Sequence, residues 1–325
     1  MVRFVSVIIV TWKARDLLRQ CLKSVERETK ETHREIIVVD NASRDGTLEM
    51  IGNEFPNVRL IANEKNLGFA RACNIGLKAV LAEKRADFIL LLNADAILLD
   101  RAIEKMIAYF EERPAVAAVA PALVLPGGKF QTGAAGYLPS AAAGFYYFFF
   151  LSRIFPGRCK GLFLDQRSFT KRGAAVEVDW LSGACLLTRR DVVERIGLLD
   201  ESYFFSVEDI DWGKRMKNSG FQLHYLPWVS VLHYHRAISK KYRTMFETRW
   251  LGFLYHFVKK ERGRADYFLF RLFSTGGFFL RLVVSTFSSL FAKKREKGSV
   301  RELSAFLLAS LGWPGQRDSA PKPKR

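Results

Sequence analysis

The chain has 325 residues, 49% of them hydrophobic, enough to bury one large core with a smaller appendage and too many for an intrinsically disordered protein. Its net charge of +18 is unevenly placed: residues 1 to 235 carry 31 Lys and Arg against 27 Asp and Glu, so most of the excess falls in residues 236 to 325. A nearly neutral body with a strongly basic tail points to an anionic partner for the tail, either nucleic acid or acidic lipid.

The first apolar run, Phe4 to Val10, is short, and Thr11-Trp12-Lys13 follows where a signal peptide would carry small residues; the pattern predicts a first strand. Further strands are expected at Glu35 to Val39, Val58 to Ile61, Phe88 to Leu92 and Val116 to Val119. Between them, Leu17, Leu18, Cys21, Leu22 and Val25, and later Ile103, Met106, Ile107 and Phe110, recur at helical spacing. Strands alternating with helices predict an α/β fold with a mainly parallel sheet. Pro126-Gly127-Gly128-Lys129 signals a hairpin turn. Residues 137 to 172 are aromatic and basic, open to two readings: part of a soluble core, or a mobile lipid-facing loop. The four cysteines, Cys21, Cys73, Cys159 and Cys185, lack metal-type spacing and read as reduced thiols of a cytosolic protein.

Asn93-Ala94-Asp95 stands directly behind the buried-strand run, which places the Asp95 carboxylate at the carboxyl edge of the sheet. A hard carboxylate there can hold Mg²⁺ or Mn²⁺ against a diphosphate; the alternative is a residue that only caps a turn before the next helix. Val10, Thr11 and Asp40 end the first two strands on the same edge, where they can contact a nucleobase or ribose, with helix capping as the rival role for Asp40. The first strand is not followed by Gly-x-Gly-x-x-Gly, which argues against a dinucleotide-binding dehydrogenase. Asn66, Gly68 and Arg71 form a loop-to-helix junction in which Gly68 permits a tight turn and Arg71 offers charge to phosphate. Gly183 and Ala184 remove side-chain bulk and let the backbone approach a ligand or another strand. Glu208-Asp209-Ile210-Asp211 opens a helix expected to end near Gly220; acids there complement the helix dipole, and one of them can instead serve as a general base. His233 follows the strand-like Val229 to Leu232 and can complete a metal site with Asp95, although His235 would share its face and leaves the choice open.

These blocks, in this order over roughly residues 4 to 260, resemble the family 2 glycosyltransferases of the GT-A fold, and most of all the bacterial rhamnosyltransferase branch. The resemblance rests on Val10-Thr11-Trp12, Val39-Asp40-Asn41-Ala42-Ser43, Asn66-Leu67-Gly68-Phe69-Ala70, Asn93-Ala94-Asp95, Trp180-Leu181-Ser182-Gly183-Ala184, Glu208-Asp209-Ile210-Asp211 and His233. It implies a nucleotide-sugar donor, a saccharide or polyprenyl-linked acceptor, and a Mg²⁺ or Mn²⁺ cofactor. By the same resemblance Thr11 and Asp40 bind the nucleotide, and Asn66 and Gly68 line the donor pocket together with Val10, Arg71, Gly183 and Glu208. Asn93 and Asp95 occupy the Asp-x-Asp position, His233 is the further metal ligand, and Asp209 is the base of an inverting transfer. Asn93 replaces the first acid of that motif and so serves the nucleotide without adding charge, while Ala94 stands where proline is frequent. No Gln-x-x-Arg-Trp block follows Asp209, which argues against a processive synthase.

The expected organisation is a catalytic domain over 1–240, a basic helical extension over 241–316 and a disordered tail over 317–325. Residues 267 to 292 are apolar but interrupted by Arg271 and Arg281, a composition that suits an interfacial helix better than a spanning one. Flanked by Lys259-Lys260 and Lys293-Lys294-Arg295, this helix is expected to attach peripherally to the anionic cytoplasmic membrane face. Two rivals remain at this level: a nucleotidyltransferase, which would use the same carboxylates, and a basic nucleic-acid-binding protein, for which no recognition motif is present.

Overall fold

A computed structural model describes residues 3–29, 33–165, 173–234, 243–291 and 297–312. His235, Lys293 to Arg295 and the tail from residue 313 onward, on which part of the sequence reading fell, lie outside the described residues. In chain order the elements are β1 (Phe4–Thr11), α1 (Arg15–Glu28), β2 (His33–Asp40), α2 (Thr47–Glu54), β3 (Arg59–Ala62), α3 (Phe69–Glu83), β4 (Phe88–Asn93), β5 (Ala96–Leu98), α4 (Ala102–Glu111) and β6 (Val116–Val124). They continue with β7 (Ala135–Gly136), α5 (Ala141–Phe148), α6 (Leu151–Ile154), β8 (Val176–Val178), β9 (Trp180–Leu181), β10 (Cys185–Arg189), α7 (Arg190–Ile196), α8 (Glu208–Asn218), β11 (Gln222–His233), α9 (Arg243–Phe291) and α10 (Lys297–Leu311).

By backbone contact the chain divides into two compact units, Met1–Gly136 with Leu164–Ile238, and Tyr137–Phe163 with Ser239–Arg325. The first unit is built on a mixed sheet in the order β3-β2-β1-β4-β10-β6-β11-β5, with β8 also paired to β11. Val5, Val7, Ile8 and Ile9 of β1 are buried because the strand lies in the sheet interior with both faces covered, and this explains the nearly unbroken apolar run. Leu18, Cys21, Leu22 and Val25 of α1 are buried at helical spacing, as the sequence pattern requires.

One topological feature positions the site. β1, β2, β3 and β4 are parallel, and β10 runs antiparallel between β4 and β6, with Cys185 opposite Leu92. The chain therefore enters β10 at the edge where β4 leaves the sheet, so the turn at Ser182 to Ala184 meets Asn93. β11, parallel to β6, delivers His233 to that same edge. The three-residue strand β5 pairs with the end of β11, with Ala96 opposite His233. Asp95 is consequently held in a turn between two strands, and no helix follows it directly.

The second unit takes in Tyr137–Phe163, a segment that the sequence reading left with the catalytic domain. Its aromatic run becomes α5, whose Phe148 is fully buried against Phe270 and Phe278 of α9. The helix α9 is interrupted at Gly263, where φ is +87°, and α10 packs on it through the stacked rings of Phe278 and Phe306. Core packing thus accounts for much of this aromatic composition.

Candidate active site

Several loops converge on the carboxyl edge of the first unit. Where β1 and β2 end, Thr11 pairs in register with Asp40, and both are buried. The Asp40 carboxylate accepts from the backbone N–H of Ser43 at 3.0 Å and from the Ser43 hydroxyl. This local turn stands in place of the rival capping role, since the N-cap of α2 is Gly46. Thr11 Oγ1 is buried with no hydrogen-bond partner among the described residues, so this donor is available to a ligand. Beside Asp40 opens a recess of about 500 Å³ bordered also by Ala42, Arg44, Thr47, Asn63 and Glu64.

Asn41, the neighbour of Asp40, is a structural hub. Its Nδ2 donates to the Gly68 carbonyl at 3.1 Å, and its Oδ1 accepts from Asn63 Nδ2 at 2.9 Å. These bonds hold the Asn66–Gly68 loop, in which Asn66 Oδ1 accepts from the Gly68 N–H. Gly68 has φ +85° and ψ 175°, a conformation essentially restricted to glycine, and an added Cβ would lie 2.5 Å from the Phe204 carbonyl oxygen. The loop therefore abuts the segment leading into α8. Arg71 is turned aside: its Nε donates to Glu201 at 2.9 Å, which engages the charge that the sequence reading offered to phosphate.

At the ends of β4 and β11, His233 Nε2 lies 3.0 Å from Asp95 Oδ1, and its Nδ1 lies 2.6 Å from Gln131 Oε1. All three side chains are buried. Asn93 Nδ2 stands 3.3 Å from His233 Nε2, so the amide nitrogen of Asn93 is engaged with the imidazole. Gln131 was not foreseen: it sits just after the hairpin turn, where nothing in the local pattern marks it. His224 lies elsewhere on β11, hydrogen-bonded to the Tyr109 hydroxyl at 2.8 Å, and is no part of this cluster.

Gly183 and α8 complete the edge. The Asn93 N–H donates to the Ala184 carbonyl at 3.0 Å, tying β4 to the turn before β10. At Gly183 an added Cβ would sit 3.0 Å from the Phe69 ring, so the missing side chain admits the start of α3. The chain enters α8 through Ser206 and Val207, both with positive φ, a conformation costly for a β-branched residue and held here by the burial of Val207. Burial pushes the Asp209 carboxyl up to about 6, opposed by hydrogen bonds from the Gly183 and Ile210 backbone N–H groups. Burial, with Asp209 beside it, pushes Glu208 well above the usual carboxylate range, and Glu208 Oε2 has no partner among the described residues. Asp211 differs: it pairs with Arg215 at 2.8 Å, whose guanidinium also donates to the Ile196 and Leu198 carbonyls. Asp211 thus fastens α8 to the preceding loop, and Asp209 remains as the acid whose ionisation lies near neutrality.

The donor set suits a divalent cation. Donation to Gln131 places the imidazole proton on Nδ1, and the Asn93 amide then meets a lone pair on Nε2. In the neutral ring Nε2 and the carboxylate oxygen 3.0 Å away are two acceptors side by side, and a bound cation would take the Nε2 lone pair in place of the Asn93 amide. No cluster of three or more His, Cys, Asp or Glu that could hold a metal occurs among the described residues, so any cation here would need ligands beyond Asp95 and His233.

Comparison with known proteins agrees with this architecture. Residues 6–197 match the family described as glycosyl transferase family 2. The N-acetylglucosaminyl-diphospho-decaprenol L-rhamnosyltransferase of Mycobacterium tuberculosis is 30% identical over 248 residues, 72% of this chain and 76% of that protein. The dTDP-rhamnosyl transferase RfbF of Shigella flexneri is 25% identical over 223 residues, 65% of this chain and 64% of that one. Among solved structures, the mannosyltransferase PcManGT from Pyrobaculum calidifontis, in complex with GDP-Man and Mn²⁺, superimposes with a TM-score of 0.60 at 15% identity, covering 97% of this chain and 89% of its own, and supports the GT-A-like fold. The chain belongs to glycosyl transferase family 2 and is a glycosyltransferase.

Proposed function

We propose that the protein transfers a sugar, with rhamnose the first candidate, from a nucleotide-diphosphate donor to a saccharide or polyprenyl-linked acceptor in cell-envelope polysaccharide synthesis, with inversion and with a divalent cation. The observation that carries this reading is the continuous edge of close contacts from Asp95 and His233, through Asn93 and Ala184, to Gly183 and Asp209. Thr11 and Asp40 hold the nucleotide, with Val10, Asn66 and Gly68 beside them. Asp95 and His233 would hold Mg²⁺ or Mn²⁺, which when bound offsets the charge of the diphosphate. Asp209 takes the proton of the acceptor hydroxyl as its oxygen bonds the anomeric carbon, and the bond from that carbon to the diphosphate oxygen breaks. A carboxylate ionising at about 6 is charged at neutral pH yet basic enough to accept that proton. A screen of nucleotide sugars with Mn²⁺ tests the reading: release of nucleoside diphosphate supports it, and release of pyrophosphate would replace it with nucleotidyl transfer.

The lipid-linked acceptor accords with the second unit, which we propose attaches peripherally to the cytoplasmic membrane face. Residues Arg249–Phe287 are long and apolar enough to cross a membrane by length and composition. The helical break at Gly263 and the side-chain arrangement favour an in-plane helix. Phe268, Phe279 and Phe287 are 67%, 58% and 62% exposed. Within residues 267–287 the two arginines point inward: Arg271 donates to the Ser310 carbonyl at 2.7 Å, and Arg281 donates to the Tyr147 carbonyl at 2.8 Å. The exposed face is therefore apolar and free of their charge, as an interfacial helix requires. Sedimentation with anionic vesicles at low salt tests the attachment, and protein remaining in the supernatant refutes it.

A further inference from the structure

We infer that Gln131 is a positioning residue for the cation site, because it fixes the tautomer of His233 that turns a lone pair toward Asp95. This inference rests on the cation-binding reading proposed above. Gln131 is delivered rigidly: the Leu125 N–H donates to the Lys129 carbonyl across the hairpin turn, and the Gln131 N–H donates to the Leu123 carbonyl of β6 at 2.8 Å. Its side chain is buried, and its Oε1 lies 2.6 Å from His233 Nδ1, closer than Asp95 or Asn93 comes to Nε2.

A neutral imidazole carries one proton. An amide oxygen against Nδ1 claims it there and leaves Nε2 as an acceptor. The Asn93 amide nitrogen, 3.3 Å from Nε2, is a donor and agrees with this assignment. With Nε2 unprotonated, the ring and the Asp95 carboxylate present two electron-rich atoms 3.0 Å apart, a pair of ligands already oriented toward one ion. A ring protonated on Nε2 would turn an N–H toward Asp95 and close the site with a hydrogen bond. Groups that orient a ligating histidine in this way commonly change metal affinity by about ten- to a hundredfold when removed.

The test is a titration of the full-length protein with Mn²⁺ alone, following the free ion by electron paramagnetic resonance. Gln131→Leu, which keeps the bulk and loses the acceptor, is expected to weaken Mn²⁺ binding by about ten- to a hundredfold. Gln131→Glu retains an acceptor oxygen and is expected to restore most of it. If Gln131→Leu binds Mn²⁺ like the wild type while Asp95→Ala and His233→Ala lose it, the positioning role is wrong and the cation site stands. If none of the three variants alters Mn²⁺ binding, the cation reading itself falls, and this inference with it. Nitrogen-15 spectra of histidine-labelled wild-type protein, assigned with His233→Ala, need no folded Gln131 variant: a protonated Nδ1 with a bare Nε2 supports the assignment, and a protonated Nε2 overturns it.

Discussion

The edge at Asp95 and the start of α8 both bury carboxylates, and their surroundings differ in what they leave unmet. At Asp95 the neighbours are oriented polar groups, His233, Gln131 and Asn93, which on the proposed reading leave two acceptors for a cation. At Glu208 and Asp209 burial dominates, Glu208 has an oxygen without a partner among the described residues, and Asp209 is raised to about 6, as a site for a proton requires. On the proposed function the two sites divide the work, Asp95 holding the diphosphate through a cation and Asp209 receiving the acceptor's proton.

The comparison breaks most visibly at Asp209. Asp209→Asn keeps the shape and removes the base, so transfer should fall by about 10²- to 10⁴-fold in a product-release assay. The wild-type pH profile sharpens the same point. Asp209 must be ionised to act, so the transfer rate should fall about tenfold per pH unit below an apparent value near 6, and should plateau above it until another group titrates. Gly68→Ala tests the loop that joins the nucleotide end to α8. The forced backbone conformation alone should cost about 1–3 kcal/mol, read as a lower midpoint in thermal or urea unfolding. Asp211→Asn should show the smallest effect on chemistry: losing the charged partner of Arg215 should cost about 1–3 kcal/mol of stability while transfer at low temperature stays near wild type.

The placement of Thr11, Asp40 and Asp95 on one sheet edge was legible because each follows an apolar run long enough to be a strand, and parallel strands end on one edge. His233 was legible for the same reason, and its contact to Asp95 came only from the structure, while its rival His235 lies outside the described residues. Gln131 was invisible, since a residue after a hairpin turn carries no periodicity and its partner lies 102 positions away. The pairing of Arg71 with Glu201 was equally hidden, being a contact across 130 positions. β5 is too short for any pattern to announce it, yet it keeps Asp95 in a turn between strands. The aromatic run at 145–151 was read as either core or lipid-facing because composition alone does not reveal which rings meet α9, and its Phe148 proved to be core.

The division of work is tested most directly by titrating the nucleotide-sugar donor, with Mn²⁺ present, into Asp95→Ala and Asp209→Asn side by side. Donor affinity should drop at least about tenfold in Asp95→Ala, by analogy with the loss of groups that support a metal site. It should remain at the wild-type level in Asp209→Asn. Equal loss in both variants, or loss confined to Asp209→Asn, would contradict the account.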